Sequence, residues 1–380
     1  MHGPRARLLI VVNVDWFFLS HRLPLAIGAI NAGYEVHIAT TLTGDAAAIE
    51  EHGLIVHPQH IDRSATGLLG LFRLFLSFLR LFWAVRPDVL HLVTIKPVLV
   101  GGLAARLSPV HGVVYAVSGL GHVFVSTGAL GRMRRLVVGI WYRLVVGAKN
   151  MRIIFQNSED RAAIESVARL APQNVVMIPG SGVNLSEYES FPLPEGVPIV
   201  MMAARLLGTK GVREFVAAAR ALRHRGIAAR FWLVGEPDAA NPASIAPHEV
   251  DAWRQEGVVE LLGHRADMPA LMRQAHLVVL PSYYGEGLPK VLIEAAACGR
   301  AVVTTDMPGC RDAVEADVTG VLVPPRDAAA LAQAIEALVR DRSRCTQLGR
   351  AGRERAERLF DVASVVATHL AVYRELVEAA

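Results

Sequence analysis

The sequence predicts two doubly wound α/β domains in tandem, each a parallel sheet covered by helices on both faces. Three observations carry that prediction. Short, nearly continuous apolar runs alternate with longer helical stretches, the pattern of strands buried on both faces. The alternation breaks once, from Pro179 to Pro198, where four prolines and three glycines fall together, and then restarts. The 380 residues, 52% hydrophobic and 19% charged, are too many for one ordinary core and suit two.

The elements follow in order. In the first half, Leu8–Val14, Glu35–Ala39, Val89–Val93, Val113–Val117 and Ile153–Gln156 read as strands. Leu23–Ala32, Asp45–Glu51, Leu68–Val85, Val98–Leu107 and Arg161–Leu170 read as helices. In the second half the strands are Ile199–Ala203, Arg230–Val234, Val258–Leu261, Leu277–Leu280 and Ala301–Thr304. Its helices are Val212–His224, Met268–Gln274, Lys290–Cys298 and Ala328–Arg340. The domains are expected at 1–180 and 198–361, joined by a linker at 181–197, with a final helix at 362–380 returning to the first domain. Ligands of such sheets sit at the carboxyl ends of the strands, which for two facing sheets is the cleft between them.

Charge and cysteine usage exclude several classes. Residues 1–190 hold 17 Lys/Arg against 12 Asp/Glu, and the remainder 22 against 23, so the excess positive charge lies in the first half. Those basic residues are interleaved with Leu, Phe and Val, which suits an anionic membrane surface better than nucleic acid. Cys298, Cys310 and Cys345 have neither CxxC spacing nor an even count, so neither a disulfide scaffold nor a cysteine zinc site is expected. The run Leu8–Val12 after Arg5 and Arg7 imitates a signal peptide but is cut short by Asn13 and Asp15, and reads as a first buried strand.

The sharpest signals follow strands of the second domain. Arg205 and Lys210 lie on one loop, and Gly211 opens a helix, so two cations and free helical N–H groups converge. A solvated loop with incidental charge is the plain alternative. In Pro281–Pro289 the run Gly287, Leu288, Pro289 precedes a helix, with Pro289 expected near its first position. Glu286 and Glu294, eight apart, both point to the strand end, where carboxylates accept from sugar and ribose hydroxyls. Gly263 and Arg265 follow a strand at the same edge, where exposed backbone and a flat guanidinium suit a base.

Arg205 with Lys210, and Glu286–x7–Glu294 enclosing Gly-Leu-Pro, resemble the retaining GT-B glycosyltransferases of family 4. Gly182-Val183-Asn184 is similar to that family's interdomain Gly-Val-Asp. Thr94-Ile-Lys-Pro97, Gly119-Leu-Gly121, Lys210–Phe215, and Asp238 with Asn241-Pro242 and Ser244 resemble a bacterial subgroup acting on polyprenyl-diphosphate-linked saccharides for O-antigen, capsule or protein glycosylation. The resemblance implies two Rossmann-like domains, the first taking the acceptor and the second a nucleotide-sugar, UDP-linked by preference. It implies that Arg205 and Lys210 bind the diphosphate and stabilise its departure, that Glu286 contacts the donor sugar, and that Glu294 binds the ribose. Gly287, Leu288 and Pro289 would lie along sugar and phosphate. No Asp-x-Asp pair occurs in the chain, so no metal and no cofactor are expected.

The first domain is read less directly. His21 and Arg22, at a helix start after an aromatic loop, suit a phosphate or a surface and capping role alike. Lys96 follows a strand and points to the cleft; His91, inside that strand, fits a satisfied core residue. Gly119 and Gly121 let backbone approach a diphosphate, and His122 stands beside them.

On the helix Leu68–Val85, Gly70, Arg73, Ser77 and Arg80 form one narrow stripe, and nearly everything else, Phe75 included, is apolar. Spanning a bilayer with both arginines would cost about 5–7 kcal/mol, so a span is rejected. The helix either lies in the interface with Phe75 facing the membrane and Arg73 and Arg80 reaching phosphates, or is buried beneath another element. Arg132, Arg134 and Arg135 before an apolar stretch repeat the theme.

The expected activity is thus transfer of a sugar with retention to a polyprenyl-diphosphate-linked saccharide, by a peripheral enzyme at the cytoplasmic face of the inner membrane. A nucleotide-sugar epimerase, a catalytically silent nucleotide-binding scaffold and a soluble transferase with a non-lipid acceptor remain alternatives.

Overall fold

The computed structural model describes residues 5–44, 46–61, 67–119, 139–146, 150–239 and 241–379. They form two compact units, one running to Ser181 and regaining the chain at Val362, the other Gly182–Asp361.

The first unit holds seven strands: β1 (Arg7–Val14), β2 (Glu35–Thr41), β3 (Ile55–Pro58), β4 (Val89–Val93), β5 (Gly112–Val117), β6 (Met151–Phe155) and β7 (Val175–Met177). They pair in parallel in the order β3-β2-β1-β4-β5-β6-β7, with Leu8 between Val36 and Val89. Alternation along β1 divides its side chains between the two faces. Leu9 and Val11 pack on the face shared with Phe78 and Phe82 of the helix Leu68–Val85. Leu8, Ile10 and Val12 pack on the other, with Leu25 and with Val372, Tyr373 and Leu376 of the final helix, Val362–Glu378.

The second unit holds β8 (Ile199–Ala203), β9 (Arg230–Val234), β10 (Glu260–Gly263), β11 (Leu277–Leu280), β12 (Ala301–Thr305) and β13 (Gly320–Val323). These are parallel in the order β10-β9-β8-β11-β12-β13. In each sheet the strand order reverses beside the first strand, at β1/β4 and at β8/β11. Chains leaving neighbouring strands there diverge to opposite faces and open a crevice for a ligand.

Several expectations are corrected. The segment 181–197 is no free linker: Val183, Tyr188 and Leu193 are buried in the second unit's core, so the boundary falls at Ser181. The aromatic stretch after β1 is a helix, Asp15–His21, that buries Phe18 and leaves Trp16 exposed. Val98–Leu107 is not one helix but a π turn, Pro97–Gly101, continued by Gly102–Ala105. The expected Arg161–Leu170 starts earlier, at Ser158–Glu165, because Asn157 caps it by accepting the Asp160 N–H at 2.7 Å. Asp45–Glu51 shrinks to Ala47–Glu50. Pro289 is the N-cap of Lys290–Ala297, one residue before the first helical position expected for it.

Candidate active site

The site is built on the two loops that leave the switch point of the second sheet. After β8 the chain makes a 3-10 turn, Gly208–Lys210, then enters the helix Val212–His224 through Gly211. After β11 it runs from Pro281 to the N-cap Pro289. The Tyr283 N–H donates to the Thr209 carbonyl at 3.0 Å and ties the loops together. Gly211 makes that approach possible. Its φ is +79°, and a Cβ there would stand 2.1 Å from the Pro281 carbonyl oxygen, so its first service is to let the loops touch.

Across this seam Lys210 Nζ lies 2.6 Å from both Glu286 oxygens. The Ser282 hydroxyl stands 2.8 Å from Glu286 Oε1. Both charged side chains are largely shielded, 17% and 13% exposed, so the pair is a fixed dipole at the mouth of the crevice. Behind it Gly309, with φ +78°, presses against the backbone of Glu286 and Gly287; a Cβ would meet the Gly287 oxygen at 2.2 Å. Leu288 buries its side chain in the core, which leaves only its backbone for a ligand. Arg205, on the same loop as Lys210, donates to Asp238 at 2.7 Å.

Glu294, buried within its helix, accepts from the Tyr188 hydroxyl at 2.8 Å and pairs with Lys290 at 3.2 Å. Both contacts fall on Oε1. Burial and the neighbouring carboxylate push the Tyr188 phenol far above its usual range, so it stays protonated and keeps donating. Gly263 ends β10 with φ +65°, and Arg265 is an exposed side chain paired with Asp267.

Tyr188, Ser282, Gly309 and the Asp238–Arg205 contact were not legible as parts of this site. Tyr188 lies 106 residues from Glu294, in a segment whose prolines and glycines read as a linker. No local spacing encodes such a pair.

At the switch point of the first sheet, His21 stacks on Phe17 at 4.2 Å and holds the Ser20 hydroxyl through Nδ1 at 2.6 Å. Arg22 is not at the surface: it is 3% exposed, and Nη1 donates to the His21 carbonyl at 3.1 Å. Lys96 precedes the π turn, and Gly119 has φ +102°. Thr94, just after β4, has φ +74°, a strained backbone for a β-branched residue. Its buried hydroxyl and the buried Asn13 Oδ1 of β1 have no partner among the described residues. His91 is a core residue, as its place in a strand implies: Nδ1 lies 2.6 Å from the Tyr373 hydroxyl. Gly121, His122, Arg132, Arg134 and Arg135 lie outside the described residues.

On the helix Leu68–Val85, Arg73 and Arg80 are exposed. Phe75, expected to face outward, is half-buried against the core. The outward apolar side chains are instead Leu68, Leu69, Phe72 and Trp83.

Both sheets of the chain resemble known proteins. Residues 197–341 match the family model for glycosyl transferases group 1, and residues 7–157 that for glycosyl transferase 4-like proteins. The chain is 26% identical over 347 residues to the N,N'-diacetylbacillosaminyl-diphospho-undecaprenol alpha-1,3-N-acetylgalactosaminyltransferase of Campylobacter jejuni, covering 85% of this chain and 89% of the relative. It is 25% identical over 278 residues to the UDP-Gal:alpha-D-GlcNAc-diphosphoundecaprenol alpha-1,3-galactosyltransferase of Escherichia coli, covering 70% and 69%. The sucrose-phosphate synthase structure from Thermosynechococcus elongatus superposes with a TM-score of 0.81 at 22% identity, over 99% of this chain and all of that one. With one family model on each sheet and a structural match end to end, the chain belongs to the group 1, family-4-like glycosyltransferases and has the GT-B architecture.

Proposed function

We propose that this glycosyltransferase moves a sugar from a UDP-sugar to a polyprenyl-diphosphate-linked saccharide, with retention at the anomeric carbon and without a metal. The observation that carries the reading is the Lys210–Glu286 pair beside Arg205 at the carboxyl ends of β8 and β11. A nucleotide-sugar needs cations for its diphosphate and acceptors for its hydroxyls, and this edge supplies both.

In the transfer, the bond from the anomeric carbon to the β-phosphate oxygen breaks while the acceptor hydroxyl oxygen bonds to that carbon on the same face. The hydroxyl proton passes to the departing phosphate. Charge grows on the diphosphate as it leaves, and Arg205 and Lys210 supply the cations that meet it. Glu286 turns its carboxylate to the sugar, and Glu294, steadied by Tyr188, to the ribose. The names of both relatives, which specify diphospho-undecaprenol-linked substrates, support the acceptor class, and the galactosyltransferase's name supports UDP. His21, Lys96 and Gly119 are the described residues assigned to the acceptor. The apolar, arginine-edged helix Leu68–Val85 supports peripheral docking on an anionic membrane, at the cytoplasmic face.

The test is transfer from a panel of UDP- and GDP-sugars, with and without a short polyprenyl-diphosphate-sugar, in EDTA, with the product anomer assigned by NMR. Lipid-dependent transfer with retention that survives chelation and collapses in Glu286→Ala is expected. Sugar isomerised without acceptor, or no turnover of any donor, would sink the reading.

A further inference from the structure

Arg205 and Lys210 are alike in sequence but held differently. Lys210 shares a shielded seam with Glu286, whereas the Arg205 side chain is 41% exposed and its partner Asp238 only 15%. The carboxylate is the more buried member of the Arg205 pair, and the guanidinium the more exposed one.

The backbone explains why Asp238 is fixed. The segment after β9 zips onto the loop directly after Arg205. Leu206 N–H donates to the Glu236 carbonyl at 2.9 Å, Gly208 N–H to Ala243 at 2.8 Å, and Ile245 N–H to Leu206 at 2.8 Å. Leu207 and Ser244 form an antiparallel bridge. Ser244 then turns its hydroxyl to accept the Asp238 N–H at 3.1 Å. Asn241 closes the turn, accepting the Ala243 N–H through Oδ1 at 3.0 Å. The spacing Asp238-x-x-Asn241-Pro242-x-Ser244 therefore sets one carboxylate opposite one guanidinium.

We propose that Asp238 is the place-keeper for the donor's diphosphate. It holds Arg205 while the site is empty, yields it when the diphosphate arrives, and takes it back as the nucleoside diphosphate leaves. The proposal rests on the reading that Arg205 binds that diphosphate. A half-exposed ion pair contributes little, so a ligand with more than one negative charge displaces it readily, yet every binding event must first break it. The same competition loosens the product and keeps it from blocking the site.

The experiment is calorimetric titration of UDP, with uridine as the phosphate-free control, into the full-length wild type, Asp238→Asn, Asp238→Ser, Arg205→Ala and the double variant Arg205→Ala/Asp238→Asn. With the competing charge gone, UDP should bind about fivefold tighter to both Asp238 variants, with uridine unchanged and product inhibition stronger. In the Arg205→Ala background the gain should vanish, because there is no guanidinium left to compete for. Unchanged or weaker UDP binding in both Asp238 variants, at unchanged melting temperature, would overturn the proposal. So would an equal gain in the Arg205→Ala background, which would mean that Asp238 acts on the ligand directly. If Arg205→Ala alone leaves UDP affinity intact, the assignment of Arg205 to the diphosphate has failed. Having two Asp238 variants of different shape guards against a local folding defect in one of them.

Discussion

Arg205 and Arg22 each follow the first strand of their sheet, and the two units treat them in opposite ways. Arg205 faces a carboxylate and keeps much of its side chain in solvent. Arg22 is 3% exposed and lies among His91, His369 and Tyr373, with no carboxylate among the described residues acting on it. Burial lowers its pKa to about 10 and keeps both histidines neutral, His369 at about 3. The difference comes from one element. The final helix, Val362–Glu378, packs on the helix that Arg22 caps and brings His369 and Tyr373 over it, whereas the Arg205 loop stays at the sheet's edge. A cation after a strand marks a ligand site only where the rest of the chain leaves it reachable.

The strongest way to break that contrast is Lys210→Ala. It removes a preorganised cation and leaves the shielded Glu286 carboxylate uncompensated, so turnover should fall about 10²–10³-fold, or about 2.7–4 kcal/mol of barrier, with modest loss of melting temperature. Steady-state rates on the donor panel check it. A loss below tenfold would return Lys210 to the ranks of solvated loop residues.

The buried cluster of the first unit should announce itself in pH. His91 and His369 are neutral when folded and take up protons near pH 6.5 when unfolded, so the unfolded chain binds more protons below that pH. The cluster's contribution is therefore constant above about pH 6.5 and is lost as pH falls below it, by about 1.4 kcal/mol per pH unit for each imidazole, for His369 down to about pH 3. Urea unfolding between pH 7.5 and 5 reads the slope, and His369→Leu should flatten it by up to about 1.4 kcal/mol per pH unit. An unchanged slope in that variant would place the proton uptake elsewhere.

A smaller effect separates the two arginines directly. Arg22→Met swaps a buried cation lacking a carboxylate for an apolar chain of similar length, so stability should hold or rise by about 1–3 kcal/mol, with UDP affinity untouched. Arg205→Met should do the reverse, weakening UDP and leaving the melting temperature alone. Loss of acceptor use in Arg22→Met without any gain in stability would restore Arg22 as a phosphate ligand.

What was legible in the sequence follows the reach of each interaction. The strands from Leu8 and Ile199 and the helix Leu68–Val85 could be read because their apolar residues recur locally. The edge strands Ile55–Pro58, Val175–Met177 and Gly320–Val323 could not: each is three or four residues long and made into a strand by its neighbour. Lys210, Glu286 and Glu294 stood out through motif spacing, and the structure seats Lys210 against Glu286. Asp238 stood out only as part of a spacing; its role toward Arg205, 33 residues away, needed β9 to close the distance. Arg22 was misplaced because the helix that buries it lies at the far end of the chain.

The last contrast is between two helices of equal length, Leu68–Val85 in the first unit and Arg342–Leu359 in the second, 18 residues each. Both bury one face. The second turns Arg350, Glu354 and Glu357 outward. The first turns out Leu68, Leu69, Phe72 and Trp83, with Arg73 and Arg80 among them, and Trp83 is pinned by donating from Nε1 to the Leu107 carbonyl at 3.0 Å. Outward apolar area in water is a standing cost unless something covers it, and the proposed anionic interface would cover it while meeting both guanidinium groups. Sedimentation with vesicles of anionic lipid should therefore pull down the wild type, and each of Arg73→Gln and Arg80→Gln should weaken binding by about 1 kcal/mol, or about fivefold. Trp83→Ala should weaken it on neutral and anionic vesicles alike, while Arg350→Gln on the other helix should change nothing. Equal effects from Arg350→Gln and Arg80→Gln would reduce the attraction to net charge and remove the helix Leu68–Val85 from the account.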